Sequence, residues 1–305
     1  MNNVTEINNL SELLLELRKF KIICDFQQEE KLFFRGQSNK NFELAPSIGR
    51  YPNECIDDSL SWFESEMYEE ARNAFLDEFS NKLNPIDFLA KLQHYGIPTR
   101  LLDITEDPLV ALYFACSDQN FANYDGELFV FKNKDYKPIF NAISEAVADT
   151  AYIPEYNLNV FLKYVMSKSY FDNDRQALIN KLEEDPNYGN SWVAKCCETP
   201  FFVHRSFLTN RQQIQKGSFL LFSNEIKEDG NTGEKYFNDK IKPIDKGDKN
   251  IVLHRFIIPS SSKKEILTQL NELGINRRSL FADSIDIVCE EIKKHYMIDR
   301  FKKGF

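Results

Sequence analysis

The chain has 305 residues, of which 42% are hydrophobic, and a formal net charge of -9. This length and apolar content allow a full hydrophobic core, in one large domain or two small ones. The acidic balance excludes loose electrostatic adhesion to a nucleic acid or to an anionic membrane, so a polyanionic partner must meet a local basic pocket.

The cysteines and the hydropathy pattern indicate the cellular compartment in which the protein is expected. The six cysteines form no C-x-x-C pair, which argues against a zinc site or a disulfide framework and favours a reducing environment. The N-terminal stretch MNNVTEINNLSELLLELRKF has no basic n-region, and no later segment has enough consecutive apolar residues to span a bilayer. We therefore expect a cytoplasmic protein with no membrane partner.

The first predicted elements are an amphipathic helix, a short strand and a second helix. Leucines at helical spacing in NNLSELLLELRKF predict the first helix, and KLFFRG (31–36) is typical of a strand that ends at a glycine. Residues 61–82 predict the second helix, with a capping box between Ser61 and Glu64 and apolar residues along one face.

NPIDFLAKLQHYG predicts a third helix. Asn84 suits the N-cap, Pro85 suits the first helical position, and Gly96 follows the last turn. This arrangement places His94 in the last turn. His94 also lies near Arg100 and Asp103 in sequence, and such neighbours can orient a histidine and tune it near neutral pH, although a packing or surface role is equally open.

IPTRLLDITEDPLVALYFAC predicts a buried strand, a tight turn and a helix that opens at Asp107-Pro108. The start of residues 108–117, beside Thr105, would leave backbone N–H groups without helical partners. Such a helix N-terminus binds a phosphate or carboxylate in many proteins. The alternative is a plain strand-to-helix corner.

The second half predicts further strands at 126–131, 217–222 and 251–259, several helices, and a long polar surface loop over 227–249. No low-complexity linker marks a domain boundary. The expectation is therefore a single α+β domain over residues 1–305, with helical elaborations.

Three blocks of this sequence resemble a known family. FFRGQ, LQHYGIPTRLLDITEDPLVALYFAC and RQQIQKGSFLLF, in that order, are similar to the FRG domain family, named for its Phe-Arg-Gly motif. SLFADSID resembles the family's closing segment, with Ala282 in place of a proline. The resemblance implies an FRG-like core over residues 30–224, with 225–305 completing the sheet and adding C-terminal helices.

The same blocks resemble, more weakly, ADP-ribosyltransferases of the Arg-Ser-Glu type. In those proteins one strand ends in arginine and glycine, a later strand carries Ser-Thr-Ser, and a final strand opens with the catalytic glutamate. The resemblance implies an ADP-ribosyltransferase-like α+β fold with a mixed or antiparallel central sheet, and NAD as the substrate.

The resemblance to ADP-ribosyltransferases also implies roles for particular residues. Arg35 would hold the diphosphate of NAD through its planar guanidinium, and Gly36 would let the backbone approach the cofactor. Thr105 would orient the nicotinamide ribose or the turn around it. Tyr113, or its neighbour Phe114, would form a wall against the nicotinamide.

One feature departs from the transferase pattern. The predicted final strand opens with three glutamines: Gln212, Gln213 and Gln215. A glutamine can hydrogen-bond a ribose but has no full negative charge to stabilise the departure of nicotinamide. Either another carboxylate substitutes, such as Asp103, Glu106 or Glu127, or the fold binds a nucleotide without fast chemistry.

Two functions follow. The first is an NAD-consuming effector, a toxin or a phage-defence protein, that transfers ADP-ribose to a protein or nucleic acid or hydrolyses NAD, and that an antitoxin or regulatory partner could restrain. The second is a noncatalytic nucleotide- or RNA-binding module with a phosphate clamp formed by Arg35, Arg100 and Arg211. The predicted catalytic residues are His94, Asp103 and Gln215. The predicted cofactor-binding residues are Arg35, Gly36, Arg100, Thr105 and Tyr113.

Overall fold

The computed structural model describes residues 3–24, 31–50, 60–79, 83–133, 139–149, 157–171, 175–184, 188–203, 210–238, 240–282 and 284–302. Its strands are β1 (Val4–Glu6), β2 (Lys31–Gln37), β3 (Leu101–Thr105), β4 (Gly126–Asn133), β5 (Phe201–Val203), β6 (Gly217–Leu221), β7 (Ile226–Glu228), β8 (Lys235–Phe237) and β9 (Val252–Ile258). Its helices are α1 (Leu10–Cys24), α2 (Glu64–Ala74), α3 (Pro85–His94), α4 (Pro108–Cys116), α5 (Ile139–Ala148), α6 (Leu158–Ser167), α7 (Arg175–Glu184), α8 (Tyr188–Cys197), α9 (Asn210–Ile214), α10 (Lys263–Glu272), α11 (Arg277–Leu280) and α12 (Ile285–Lys302).

Within the described residues, seven strands form one sheet in the order β1-β9-β4-β2-β3-β6-β5. Only the β1/β9 pair in this sheet is parallel, and the other neighbours are antiparallel. The predicted α+β class with a mixed central sheet and helices is confirmed. Because β9 lies between β1 and β4, the C-terminal part of the chain supplies an interior strand.

β2 lies in the middle of the sheet, and its alternating side chains are buried on both faces. Phe34 joins the apolar cluster that contains α4, whereas Phe33 joins a cluster on the opposite face. Strand geometry places every second side chain on the same face. Gly36 therefore lies on the α4 side with Phe34, and Arg35 lies on the side of Phe33.

Several predicted helix boundaries agree with the structure. Asn84 caps α3 by accepting a hydrogen bond from the backbone N–H of Asp87, and Gly96 follows this helix with a φ of +92°. α10 is likewise followed by Gly274 with a φ of +78°. These positive φ angles favour glycine because it has no Cβ.

The helix predicted over 61–82 is wrong in its bounds. Residues 60–63 form a 3₁₀ turn, α2 covers Glu64–Ala74, and 80–82 lie outside the described residues. The predicted capping box is also wrong, because the N-cap residue of α2 is Phe63 and the carboxylate of Glu64 is buried against Arg100. A buried charge needs a partner, and this requirement outweighs the local capping preference.

Two predictions in the second half are corrected. The polar stretch predicted as a loop contains the antiparallel hairpin of β7 and β8. The glutamines predicted to open the final strand precede it, because 210–214 form α9 and β6 begins only at Gly217. Among the described residues, no helix is both long enough and apolar enough to span a bilayer.

Candidate ligand-binding site

The three segments that carry the predicted site adjoin one another. Phe34 of β2 pairs with Thr105 of β3, and Thr105 pairs with Gly217 of β6. Arg35, which follows Phe34, and Gln215, which shortly precedes Gly217, therefore lie on either side of the C-terminal half of β3. The structure brings Arg35, Asp103, Thr105 and Gln215 to one region of the sheet.

Arg35 reaches across from β2 to β3. Its Nη1 donates a hydrogen bond to the backbone carbonyl of Asp103 over 2.6 Å. Within the described residues, its Nε is buried and has no hydrogen-bond partner. Burial lowers the pKa of Arg35 to about 10, so the guanidinium stays charged at neutral pH. An unsatisfied N–H of a guanidinium is costly, so this buried nitrogen is an exception among the polar atoms of the described interior.

Asp103 supplies a carboxylate beside this guanidinium. The residue is exposed to solvent, yet the protein packed around the carboxyl raises its pKa, against the attraction of Arg35 and Arg211. Arg50 also interacts electrostatically with Asp103. In the described part of the chain, three guanidinium groups thus act on this one carboxylate, and the cluster has an excess of positive charge.

Thr105 and Gln215 join the neighbouring segments. The Thr105 hydroxyl donates to the backbone carbonyl of Gln215 over 2.6 Å and accepts from the backbone N–H of Asp107. The Gln215 side-chain amide donates to the carbonyl of Leu280. Of the two predicted roles of Thr105, these contacts match the second, which is to orient the turn. The amide N–H of Gln215 is already engaged with the C-terminal segment.

The start of α4 does not provide the predicted anion site. Asp107 caps this helix, and its Oδ1 accepts from the backbone N–H of Leu109. Its Oδ2 pairs with Lys216 at 2.8 Å. A carboxylate therefore already occupies the position where a phosphate would bind, so the alternative of a capped strand-to-helix corner describes this segment.

Gly36 and Tyr113 both face the packed interior. A Cβ on Gly36 would lie 1.8 Å from the carbonyl oxygen of Ala111 in α4, so the close approach that requires glycine is that of a helix. Tyr113 belongs to the apolar cluster that contains Ala111, and it is only 8% exposed. The structure therefore gives both residues a packing role in place of the predicted contact with a cofactor.

Arg100 lies in the interior of the protein. The side chain is 2% exposed, forms a bidentate ion pair with Glu64, and donates to Asn224. This arrangement contradicts its predicted place in a phosphate clamp, because the guanidinium is committed to joining α2, β3 and the end of β6. Arg50, which belongs to none of the sequence motifs, lies near Asp103 instead.

His94 is exposed in the last turn of α3, where its ring packs edge-on against Tyr95 with centroids 5.2 Å apart. Among the described residues, the side-chain hydrogen bond to Asp103 comes from the preceding residue, Gln93, whose Nε2 lies 2.9 Å from Oδ2. In the described structure the neighbour of His94 in the chain therefore makes this contact with Asp103. The helical phase, with Leu92 buried and Gln93 half-buried, is the signal that distinguishes them.

A cavity of about 380 Å³ lies elsewhere in the fold, between the end of α8, the end of β6 and the hairpin of β7 and β8. Its lining residues include neither Arg35 nor Asp103. The charges around this cavity also differ from those around Asp103, because its lining mixes lysines and glutamates.

Residues 30–123 match the family model described as FRG domain. The chain therefore contains an FRG domain, and the recognition of this family from the sequence is confirmed. The matched segment carries Arg35, Arg50, Gln93 and Asp103, whereas Gln215 lies beyond it. Comparison with curated proteins and with solved structures gives no match for the chain.

Proposed function

We propose that the chain binds NAD at the cluster of Arg35, Arg50, Arg211 and Asp103 and consumes it, as ADP-ribosyltransferases do. The observation that carries this proposal is the hydrogen bond from Arg35, whose Nε is buried and unsatisfied in the described structure, to the backbone of Asp103, a residue exposed to solvent. Guanidinium groups recognise diphosphates through charge-assisted hydrogen bonds, and a nearby carboxylate suits the ribose hydroxyls of a dinucleotide.

In the proposed reaction the C1′–N glycosidic bond breaks and nicotinamide leaves with the bonding electron pair. The positive charge that develops on the ribose is stabilised by a carboxylate. Asp103 takes this role, because Gln215 has no charge and its amide is engaged with Leu280. Water, or a nucleophile of a protein or nucleic acid, then adds to C1′ and loses a proton.

A second candidate function is noncatalytic binding of a nucleotide or RNA. Gln215 favours it, because this residue is uncharged where the resemblance to ADP-ribosyltransferases implies a glutamate, and its amide donates to Leu280. In both functions Arg35 is the anion ligand, so a reaction assay decides between them.

The test is incubation of the purified protein with NAD labelled in the nicotinamide or in the adenylate, with and without cell extract. Release of nicotinamide, or transfer of the adenylate label to macromolecules, supports the enzyme. Asp103→Asn is expected to abolish both. Asp286→Asn, an exposed acid on α12, is the matched control and should keep activity. Binding of ADP-ribose without release of nicotinamide would instead establish the binding module.

The proposal also has a physiological form, an effector that acts in the cytoplasm as a toxin or in phage defence and is restrained by an antitoxin. A catalyst that depletes NAD arrests growth at low abundance, whereas a binder at the same level is tolerated. The wild-type chain should therefore arrest a bacterium that produces it without its natural partner. Arg35→Ala should relieve the arrest at equal soluble yield, and arrest by both proteins would contradict the proposal.

A further inference from the structure

A chain of hydrogen bonds holds the carboxylate of Asp103. None of the roles predicted for the site residues depends on these bonds. Oδ2 of Asp103 accepts from Nε2 of Gln93 at 2.9 Å, and Oε1 of Gln93 accepts from the hydroxyl of Thr99 at 2.6 Å. The backbone N–H of Thr99 in turn donates to the hydroxyl of Ser47. The chain thus runs from a 3₁₀ turn through a buried threonine to the carboxylate.

The two hydrogen-bond partners of the Gln93 side chain, Thr99 and Asp103, determine the orientation of its amide. The Thr99 hydroxyl accepts from the backbone N–H of Leu101 and donates its own hydrogen to Oε1 of Gln93. An ionised carboxylate is an acceptor only, and it requires the NH₂ group of the glutamine. Both contacts therefore favour the same rotamer, with oxygen toward Thr99 and nitrogen toward Asp103.

The backbone that carries Gln93 is also well anchored in the fold. α3 has a capped N-terminus, and six of its residues are buried. Thr99 is fully buried. A donor on such a support keeps its position relative to the carboxylate when a ligand binds, which is the requirement for a positioning group.

We propose that Gln93 is the positioning residue of Asp103. By holding Oδ2, it directs Oδ1 toward a hydroxyl group of the bound nucleotide. This inference rests on the proposed function, because it assigns to Asp103 a ribose-bearing ligand. Gln93 itself does not touch the reacting atoms.

The experiment combines Gln93→Leu, which removes the donor, with Thr99→Val and Thr99→Ser. Gln119→Leu, an exposed glutamine, is the control. Thr99→Val deprives the amide of the contact that orients it, whereas Thr99→Ser keeps the hydroxyl and should behave as wild type. Thermal unfolding verifies that each variant is folded.

The first readout is the titration of the Asp103 carboxyl, followed by ¹³C NMR. Because Gln93 stabilises the charged form, Gln93→Leu and Thr99→Val should raise the pKa of Asp103 relative to wild type. This readout requires no enzymatic activity, so it separates the contact from the proposed function. An unchanged titration in folded Gln93→Leu overturns the proposal.

The second readout is nicotinamide release. Gln93→Leu should lower kcat by about tenfold or more, with less than about a twofold change in KM, because the loss falls on the transition state. An altered titration with unchanged kcat would overturn the positioning role. Should the wild type bind ADP-ribose without releasing nicotinamide, the enzyme proposal fails and affinity becomes the test. Gln93→Leu must then weaken ADP-ribose binding by about tenfold, and equal affinity overturns the inference.

Discussion

The guanidinium of Arg35 donates a hydrogen bond from Nη1 to the backbone carbonyl of Asp103, 2.6 Å away on the neighbouring strand. The contact leaves the Asp103 carboxylate itself to Gln93 and to solvent. The guanidinium of Arg35 thus contacts the backbone of Asp103, and the described structure shows no direct salt bridge between the two side chains.

Arg35→Ala is expected to weaken the binding of NAD or ADP-ribose by about 10- to 100-fold, because a charge-assisted hydrogen bond contributes roughly 1.5–3 kcal/mol. Binding of the wild type should weaken with added salt, since the cluster attracts the diphosphate electrostatically. Isothermal titration calorimetry at two salt concentrations measures both effects. Lys293→Ala removes an exposed charge on α12 and is the control. Equal losses in the two variants would reduce Arg35 to a solubilising cation.

Gly36→Ala is expected to destabilise the fold by about 3 kcal/mol, because the new Cβ would meet the backbone of α4. The nearest atoms, the carbonyl oxygen of Ala111 at 1.8 Å and the nitrogen of Ala115 at 2.6 Å, belong to a helix that cannot easily move. Gly230→Ala is the matched control, since no atom lies within 4 Å of its added Cβ. Chemical denaturation compares the two. A stable Gly36→Ala that only loses ligand binding would restore the predicted cofactor role.

Arg100→Ala should destabilise the protein by about 3–5 kcal/mol, because it leaves the buried carboxylate of Glu64 without its partner. Arg100→Met combined with Glu64→Leu should recover much of the loss, since no charge then remains buried. Urea denaturation measures the free energies of unfolding. Ligand binding by any folded Arg100 variant should be close to wild type. A folded, stable variant with specifically lost binding would contradict the structural role.

Glu145 makes stability depend on pH. Burial raises the pKa of this carboxyl to about 7, with Asp87 and Asp149 adding repulsion and the N–H of Ile86 opposing the shift. A raised pKa in the folded state means that stability is complete below the pKa of the unfolded chain and is lost as pH rises through about 7. Glu145→Gln should therefore raise Tm at pH 8 by about 3 °C and leave Tm unchanged below about pH 4.

The control for this pH dependence is Glu265→Gln, which changes an exposed acid on α10. Scanning calorimetry between pH 4 and pH 8 gives the comparison. A Glu145→Gln variant whose advantage grows toward low pH would have the opposite sign and would contradict the assignment.

Local sequence patterns determined much of the fold. The caps of α3 and α4, the glycines after α3 and α10, and strands β2, β3, β4, β6 and β9 all follow from periodicity and from residues with strong local preferences. The Phe-Arg-Gly motif likewise identified the FRG domain, since it lies within the segment that matches. These features depend on interactions among neighbours in the chain, which a sequence displays directly.

Tertiary structure decided which residues form the candidate site. Arg35 and Arg100 both stand beside apolar strand residues in the sequence, yet one borders a solvent-exposed carboxylate while the other neutralises Glu64 in the interior. The difference arises from partners that are distant in the chain. α2 brings Glu64 to Arg100, which is 36 positions away, and the pairing of β2 with β3 brings Arg35 to Asp103, which is 68 positions away. Gln93 and Arg50 are similarly defined by what folding places next to them, since desolvation and charge pairing act through space and leave no periodic signal in the sequence.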